Sequence, residues 1–147
     1  MTPVLVLHGP NLNLLGQREP GIYGHQTLAE LDARLRTWGL DLGLEVTSRQ
    51  SNHEGQLIDW LHGAQAEGHA GIVLNPGGLA HGSWSLRDAV AAIALPVIEV
   101  HLSNVHAREP GRQVLVTAAA CRGVITGLGL TSYRLGLAAL ADLLPTA

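Results

Sequence analysis

Residues 71–101 read Gly71-Ile-Val-Leu-Asn-Pro-Gly-Gly-Leu-Ala-His-Gly-Ser-Trp-Ser-Leu-Arg-Asp-Ala-Val-Ala-Ala-Ile-Ala-Leu-Pro-Val-Ile-Glu-Val-His101. Two short β-branched runs, Gly71–Asn75 and Pro96–His101, flank a stretch in which Leu86, Val90 and Ile93 recur at helical spacing after a capping Ser83 or Ser85. A strand, a helix and a strand within about thirty residues form a right-handed crossover unit, so the two strands are predicted parallel. Outward from this unit the same alternation continues. Pro3–His8, Leu44–Arg49 and Arg122–Thr126 read as further strands. Further helical stripes are Leu28, Leu31 and Leu35 after the candidate cap Thr27; Leu57, Trp60 and Leu61; and Leu137, Leu140 and Leu144 after Thr131 or Ser132. The expected fold is α/β: a flavodoxin-like, doubly wound, five-stranded parallel sheet with helices on both faces.

The 147 residues suit a single catalytic domain over 1–147, with no room for a second. A formal charge of −3 with 14% charged residues supplies no basic patch for nucleic acid, so a small-molecule partner is expected. The apolar run Val4–Leu7 is too short for a signal segment or a membrane span, which predicts a cytoplasmic protein without a membrane partner. The single cysteine, Cys121, excludes an internal disulfide and reads as a structural thiol. All nine basic residues are arginine. Without lysine there is no lysine Schiff base and no phosphate-loop lysine.

In doubly wound sheets ligands bind beyond the carboxyl ends of the strands. The segments there are polar: Gly9–Gly24, Gln50–Gly55, Asn75–His81, and Leu102–Glu109 with Arg112 just beyond. The first is long for a strand-to-helix connection, and Gly16, Gly21 and Gly24 mark hinges of a lid.

Gly9-Pro-Asn-Leu-Asn-Leu-Leu-Gly16, Arg18-Glu-Pro20 and Tyr23-Gly24 resemble the signature of the type II 3-dehydroquinate dehydratases. Gln50-Ser-Asn-His-Glu-Gly55, Asn75-Pro-Gly, His81, Glu99-Val-His-Leu-Ser-Asn104, His106-Ala-Arg-Glu109 and Arg112 extend the likeness over nearly the whole chain. The resemblance implies dehydration of 3-dehydroquinate to 3-dehydroshikimate without cofactor, metal or imine, in a homododecamer built from trimers. It also implies roles for named residues. Tyr23 is the base, Arg18 the cation that favours its phenolate, His101 the acid oriented by Glu99, and Asn11 the support of an enolate through an ordered water. Asn75, His81, Arg112 and the main-chain N–H groups of Leu102 and Ser103 hold the substrate, and Asp88 reaches a neighbouring subunit's site.

Residue chemistry agrees with these roles. A phenol titrates near about 10, so a tyrosinate at neutral pH needs about 4 kcal/mol of preferential stabilisation, within reach of a close guanidinium in a water-poor site. Glu99 lies two positions from His101, on the same face of a strand, where a carboxylate can orient an imidazole. The chain departs from the family pattern at His8, where asparagine is usual, around His81 with Leu79-Ala80 and Gly82, and at Pro110-Gly111, which puts the backbone of Arg112 in question. Two other classes stay open on residues alone. One is a flavin or nucleotide binding module using the Gly9-Pro10 or Gly127-Leu-Gly129 turn, and the other a metal hydrolase drawing on His53, Glu54, His81, His101 and His106.

Overall fold

The computed structural model describes residues 1–17, 21 and 24–145. Among them five strands, β1 (Thr2–His8), β2 (Leu44–Gln50), β3 (Ile72–Asn75), β4 (Val97–His101) and β5 (Gly123–Thr126), form one all-parallel sheet in the order β2-β1-β3-β4-β5. Four helices connect and cover them: α1 (Leu28–Asp41), α2 (Glu54–Gly63), α3 (Trp84–Ala92) and α4 (Thr131–Leu143). This is the flavodoxin-like arrangement expected, with strand boundaries within one residue of the sequence reading.

The pleat sorts the core into two layers. On β1, Val4 and Val6 face α1 and α4 and meet Leu31, Leu35, Leu137 and Leu140, whereas Leu5 and Leu7 face α2 and α3 and meet Leu57, Leu61, Leu86 and Val90. All of these except Leu61 and Val90 have no exposed surface, and those two have almost none. Both faces of the sheet are therefore dry along its central strands, which is why these read as continuous apolar runs. Gly136 lets α4 approach the sheet, since a Cβ there would lie 2.9 Å from Val100 Cγ1.

Caps fix where the helices begin. Thr27 accepts from the Glu30 N–H at 3.2 Å, and Ser83, rather than Ser85, accepts from the Leu86 N–H at 3.0 Å. Ser83 Oγ also donates to Glu54 Oε2 at 2.5 Å, tying α3 to α2. The last helix departs from expectation. Neither Thr131 nor Ser132 caps it; α4 starts after Leu130 without a side-chain cap, and Ser132 Oγ accepts from the Leu128 N–H at 3.1 Å. No described helix is long and apolar enough to cross a membrane.

Candidate active site

The carboxyl ends of β1, β3 and β4 open into one cleft lined by Pro10, Asn11, Leu12, Asn75, Gly77, Gly78, His81, His101, Leu102, Ser103, Val105, Arg108 and Arg112. Seven of the residues singled out in the sequence meet here: Asn11, Asn75, His81, His101, Leu102, Ser103 and Arg112. Glu99 lies behind His101, fully buried. Asp88 sits exposed on α3 and does not line its own chain's cleft. Arg18 and Tyr23 lie outside the described residues.

The floor of the cleft is held from the α2/α3 side of the sheet by a carboxylate. Glu99 Oε2 accepts from His101 Nε2–H at 2.8 Å, and its Oε1 accepts from the hydroxyl of the fully buried Thr117. Both oxygens are thus occupied, so the carboxylate cannot swing away from the imidazole. With Nε2 committed to Glu99, Nδ1 is the His101 nitrogen available to a molecule in the cleft. His81 stacks beside His101 with ring centroids 6.5 Å apart, and its Nδ1–H donates to the Val114 carbonyl at 2.8 Å, which leaves Nε2 as its free nitrogen. Thr117 was not legible in the sequence, because nothing local marks a hydroxyl eighteen residues away as a partner of Glu99. Arg108 stood inside the quoted motif but was not singled out, and only the cleft lining brings it in.

Cys121 packs against the same carboxylate, with Sγ 3.9 Å from Glu99 Oε1. Burial, followed by the charge of Glu99, pushes its thiol up to about 12. Half-buried and protonated, it is a structural thiol, as expected, and a poor nucleophile.

The wall formed after β1 is tightly fitted. A Cβ on Gly9 would lie 2.6 Å from the Pro76 carbonyl oxygen, so only glycine lets the two loops cross. Asn11 is the one described non-glycine residue with positive φ, at 71°, a region asparagine tolerates better than most. Its backbone N–H donates to Asn52 Oδ1 at 2.9 Å, and Gln50 Nε2 donates to the Gly9 carbonyl at 3.2 Å. The Gln50–Gly55 segment thereby braces the loop that carries Asn11. Leu12 and Leu15 are buried in the core, so the first half of that long loop, through a 3-10 turn at Leu12–Leu14, is anchored.

This predicts a separable pair of variants. Asn11→Gly fits the left-handed backbone and leaves stability nearly unchanged, while losing a side-chain donor, for an expected fall of about 10²-fold in kcat. Asn11→Ala should show the same kinetic loss together with a drop of about 1 kcal/mol in unfolding free energy. Paired kinetics and denaturant unfolding check both.

Around Arg112 the question raised by Pro110-Gly111 is answered by a 3-10 turn over Pro110–Arg112. Proline occupies its first position, where no N–H is required, and the Arg112 N–H bonds the Glu109 carbonyl at 2.9 Å. Arg112 Nε donates to the Glu109 carboxylate, which that guanidinium holds below the usual carboxylate range. Arg112 therefore has a defined backbone at the rim of the cleft.

From the α1/α4 side, Tyr133 reaches the cleft indirectly. It is fully buried, and burial, the largest influence, pushes its phenol well above the usual range. Burial thus favours the neutral phenol at Tyr133, which does not line the cleft and is a poor candidate for a tyrosinate base. Among the described residues, no three His, Cys, Asp or Glu side chains converge as a metal ligand set.

A family model described as dehydroquinase class II matches residues 2–141. A 3-dehydroquinate dehydratase of Deinococcus radiodurans is 55% identical over 96% of this chain and 99% of its own. One from Synechocystis is 60% identical over 96% of this chain and 92% of its own. The crystal structure of type II dehydroquinase from Propionibacterium acnes superposes with a TM-score of 0.93 at 43% identity, covering 97% of each chain. With the shared sheet and the cleft at its carboxyl edge, these matches establish that the chain is an enzyme of the class II dehydroquinase family.

Proposed function

We propose that the protein, acting as one catalytic domain over residues 1–147, dehydrates 3-dehydroquinate to 3-dehydroshikimate by anti elimination through an enolate. The observation that carries this reading is the His101–Glu99 pair, whose free imidazole nitrogen faces the same cleft as Asn11, Asn75, His81 and Arg112. Tyr23, as phenolate beside Arg18, removes the hydrogen alpha to the ketone, and the electron pair moves onto the carbonyl oxygen. Asn11, through a water, supports the resulting enolate. Collapse of the enolate breaks the carbon–oxygen bond of the leaving hydroxyl, which takes the proton of His101 and departs as water. Solvent then returns the Tyr23 proton to His101, so the cycle closes without an external reagent.

Asn75, His81, Arg112 and the main-chain N–H groups of Leu102 and Ser103 bind the carboxylate and ring hydroxyls, the planar fork of Arg112 suiting the carboxylate. Neither metal nor cofactor enters this scheme, and an imine to lysine has no residue to form on. We assign the protein to the cytoplasm, as a homododecamer of trimers in which Asp88 meets a neighbouring subunit's cleft. The test is direct. Purified protein given 3-dehydroquinate alone, with chelator present, should form the conjugated enone absorbing in the ultraviolet, and borohydride added with substrate should not inactivate it. No enone would overturn the substrate assignment.

A further inference from the structure

The mechanism above leaves one buried polar network unused. Asn75 ends β3, is 3% exposed and lines the cleft. Its Nδ2 donates to Tyr133 Oη at 2.9 Å, and its Oδ1 accepts from the Gly77 N–H at 3.1 Å. Those contacts fix which end of the carboxamide is which, because a flipped amide would set its NH2 group against the Gly77 N–H. The Gly77 N–H cannot turn aside. Its backbone has φ 59°, and even a Cβ there would lie 2.9 Å from the Pro10 carbonyl oxygen.

Behind Tyr133 the chain continues. His8 is fully buried, with Nδ1 2.9 Å from Tyr133 Oη and Nε2 2.9 Å from Asp32 Oδ1. A carboxylate only accepts, so Nε2 carries the proton. The Tyr133 hydroxyl then donates its hydrogen bond to the Nδ1 lone pair, and Tyr133 Oη is left to accept from Asn75. The hydrogen bonds run in one direction, from one Nδ2–H of Asn75 through Tyr133 and His8 to Asp32 at the half-exposed outer end. The four residues come from β3, α4, β1 and α1, so the network is closed only when the α1/α4 layer docks on the sheet.

We infer that His8, Asp32 and Tyr133 are positioning residues for Asn75, locking its carboxamide so that the remaining Nδ2–H is presented to a substrate oxygen. The side of the cleft opposite Glu99 is thereby set to donate. This inference rests on Asn75 binding substrate as proposed above.

Tyr133→Phe removes the hydroxyl and keeps the ring. It should raise KM for 3-dehydroquinate about tenfold with kcat within about threefold, the signature of a lost binding contact. Val6→Ala, a cavity in the same layer outside the network, should lower Tm without moving KM. Asp32→Asn, which keeps an acceptor for His8, should stay close to wild-type KM, and Asp32→Leu should not. By nitrogen NMR of the free protein, His8 should carry its proton on Nε2, and the Asn75 amide resonances should move in Tyr133→Phe. The proposal is overturned if Tyr133→Phe has the KM of wild type or of Val6→Ala, or if His8 is protonated on Nδ1 alone. Should wild type form no enone at all, the substrate reading fails separately, and the NMR measurements still decide whether the network holds Asn75.

Discussion

His101→Ala should lower kcat for 3-dehydroquinate by about 10²–10⁴-fold, the range expected when a positioned acid is removed. The leaving hydroxyl would then depart as hydroxide or wait for solvent. Because the imidazole also satisfies Glu99 Oε2, its removal leaves a fully buried carboxylate short of a donor, costing about 1–3 kcal/mol of stability as well. Glu99→Gln separates the two effects. The amide oxygen can face His101 Nε2–H while the amide nitrogen donates to the Thr117 hydroxyl, which can rotate to accept. Orientation is kept and charge is lost, so kcat should fall by about 10–10²-fold with little change in KM. Full turnover by His101→Ala, with circular dichroism showing an intact fold, would remove the acid from the scheme.

Tyr23→Phe should be at least as damaging, with kcat lower by about 10²–10⁴-fold and KM nearly constant. The two tyrosines of the chain have different tasks in the proposed scheme. Tyr133 is fully buried and faced by the charge of Asp32, and both disfavour its phenolate, outweighing the hydrogen bond from Asn75 that favours it. In the proposed scheme the base is Tyr23, and Arg18 is the cation that favours its phenolate. Arg18→Gln tests that dependence by pH. Removing the guanidinium makes the phenol harder to ionise, so activity is lost at neutral pH and recovered as pH rises; Tyr23→Phe shows no recovery at any pH. A pH profile for Arg18→Gln that overlays the wild type would refute the pairing. These two results, with the Tyr133→Phe KM effect, would assign His101, Tyr23 and Tyr133 to three separate tasks.

The local rules of the chain carried the architecture. Continuous apolar runs along Val4–Leu7 and Ile72–Leu74 mark strands buried on both faces, and Thr27 and Ser83 mark helix starts, because such runs and caps are properties of neighbouring residues. The same logic placed Glu99 and His101 on one face of β4, where they bond. It failed at α4, whose entry is set by the Gly129–Leu130 turn and packing rather than by Thr131 or Ser132.

Which residues face the cleft was legible to the extent that strands of a parallel sheet end on one edge. The second tier was not. Thr117 bonds Glu99 from a connection that runs back beside β4, and Cys121 joins it there. His8 stood out in the sequence only as a departure from the family's asparagine. Its partners Asp32 and Tyr133 lie 24 and 125 positions away. The sequence by itself determined the parallel sheet, its covered faces and the polar edge that holds the chemistry, since each follows from residue spacing and strand direction. Only the tertiary structure decided which buried groups hold His101 and Asn75 in place. Those hydrogen bonds join elements distant in sequence, and they exist only once strand order and register bring the donors within about 3 Å of their acceptors.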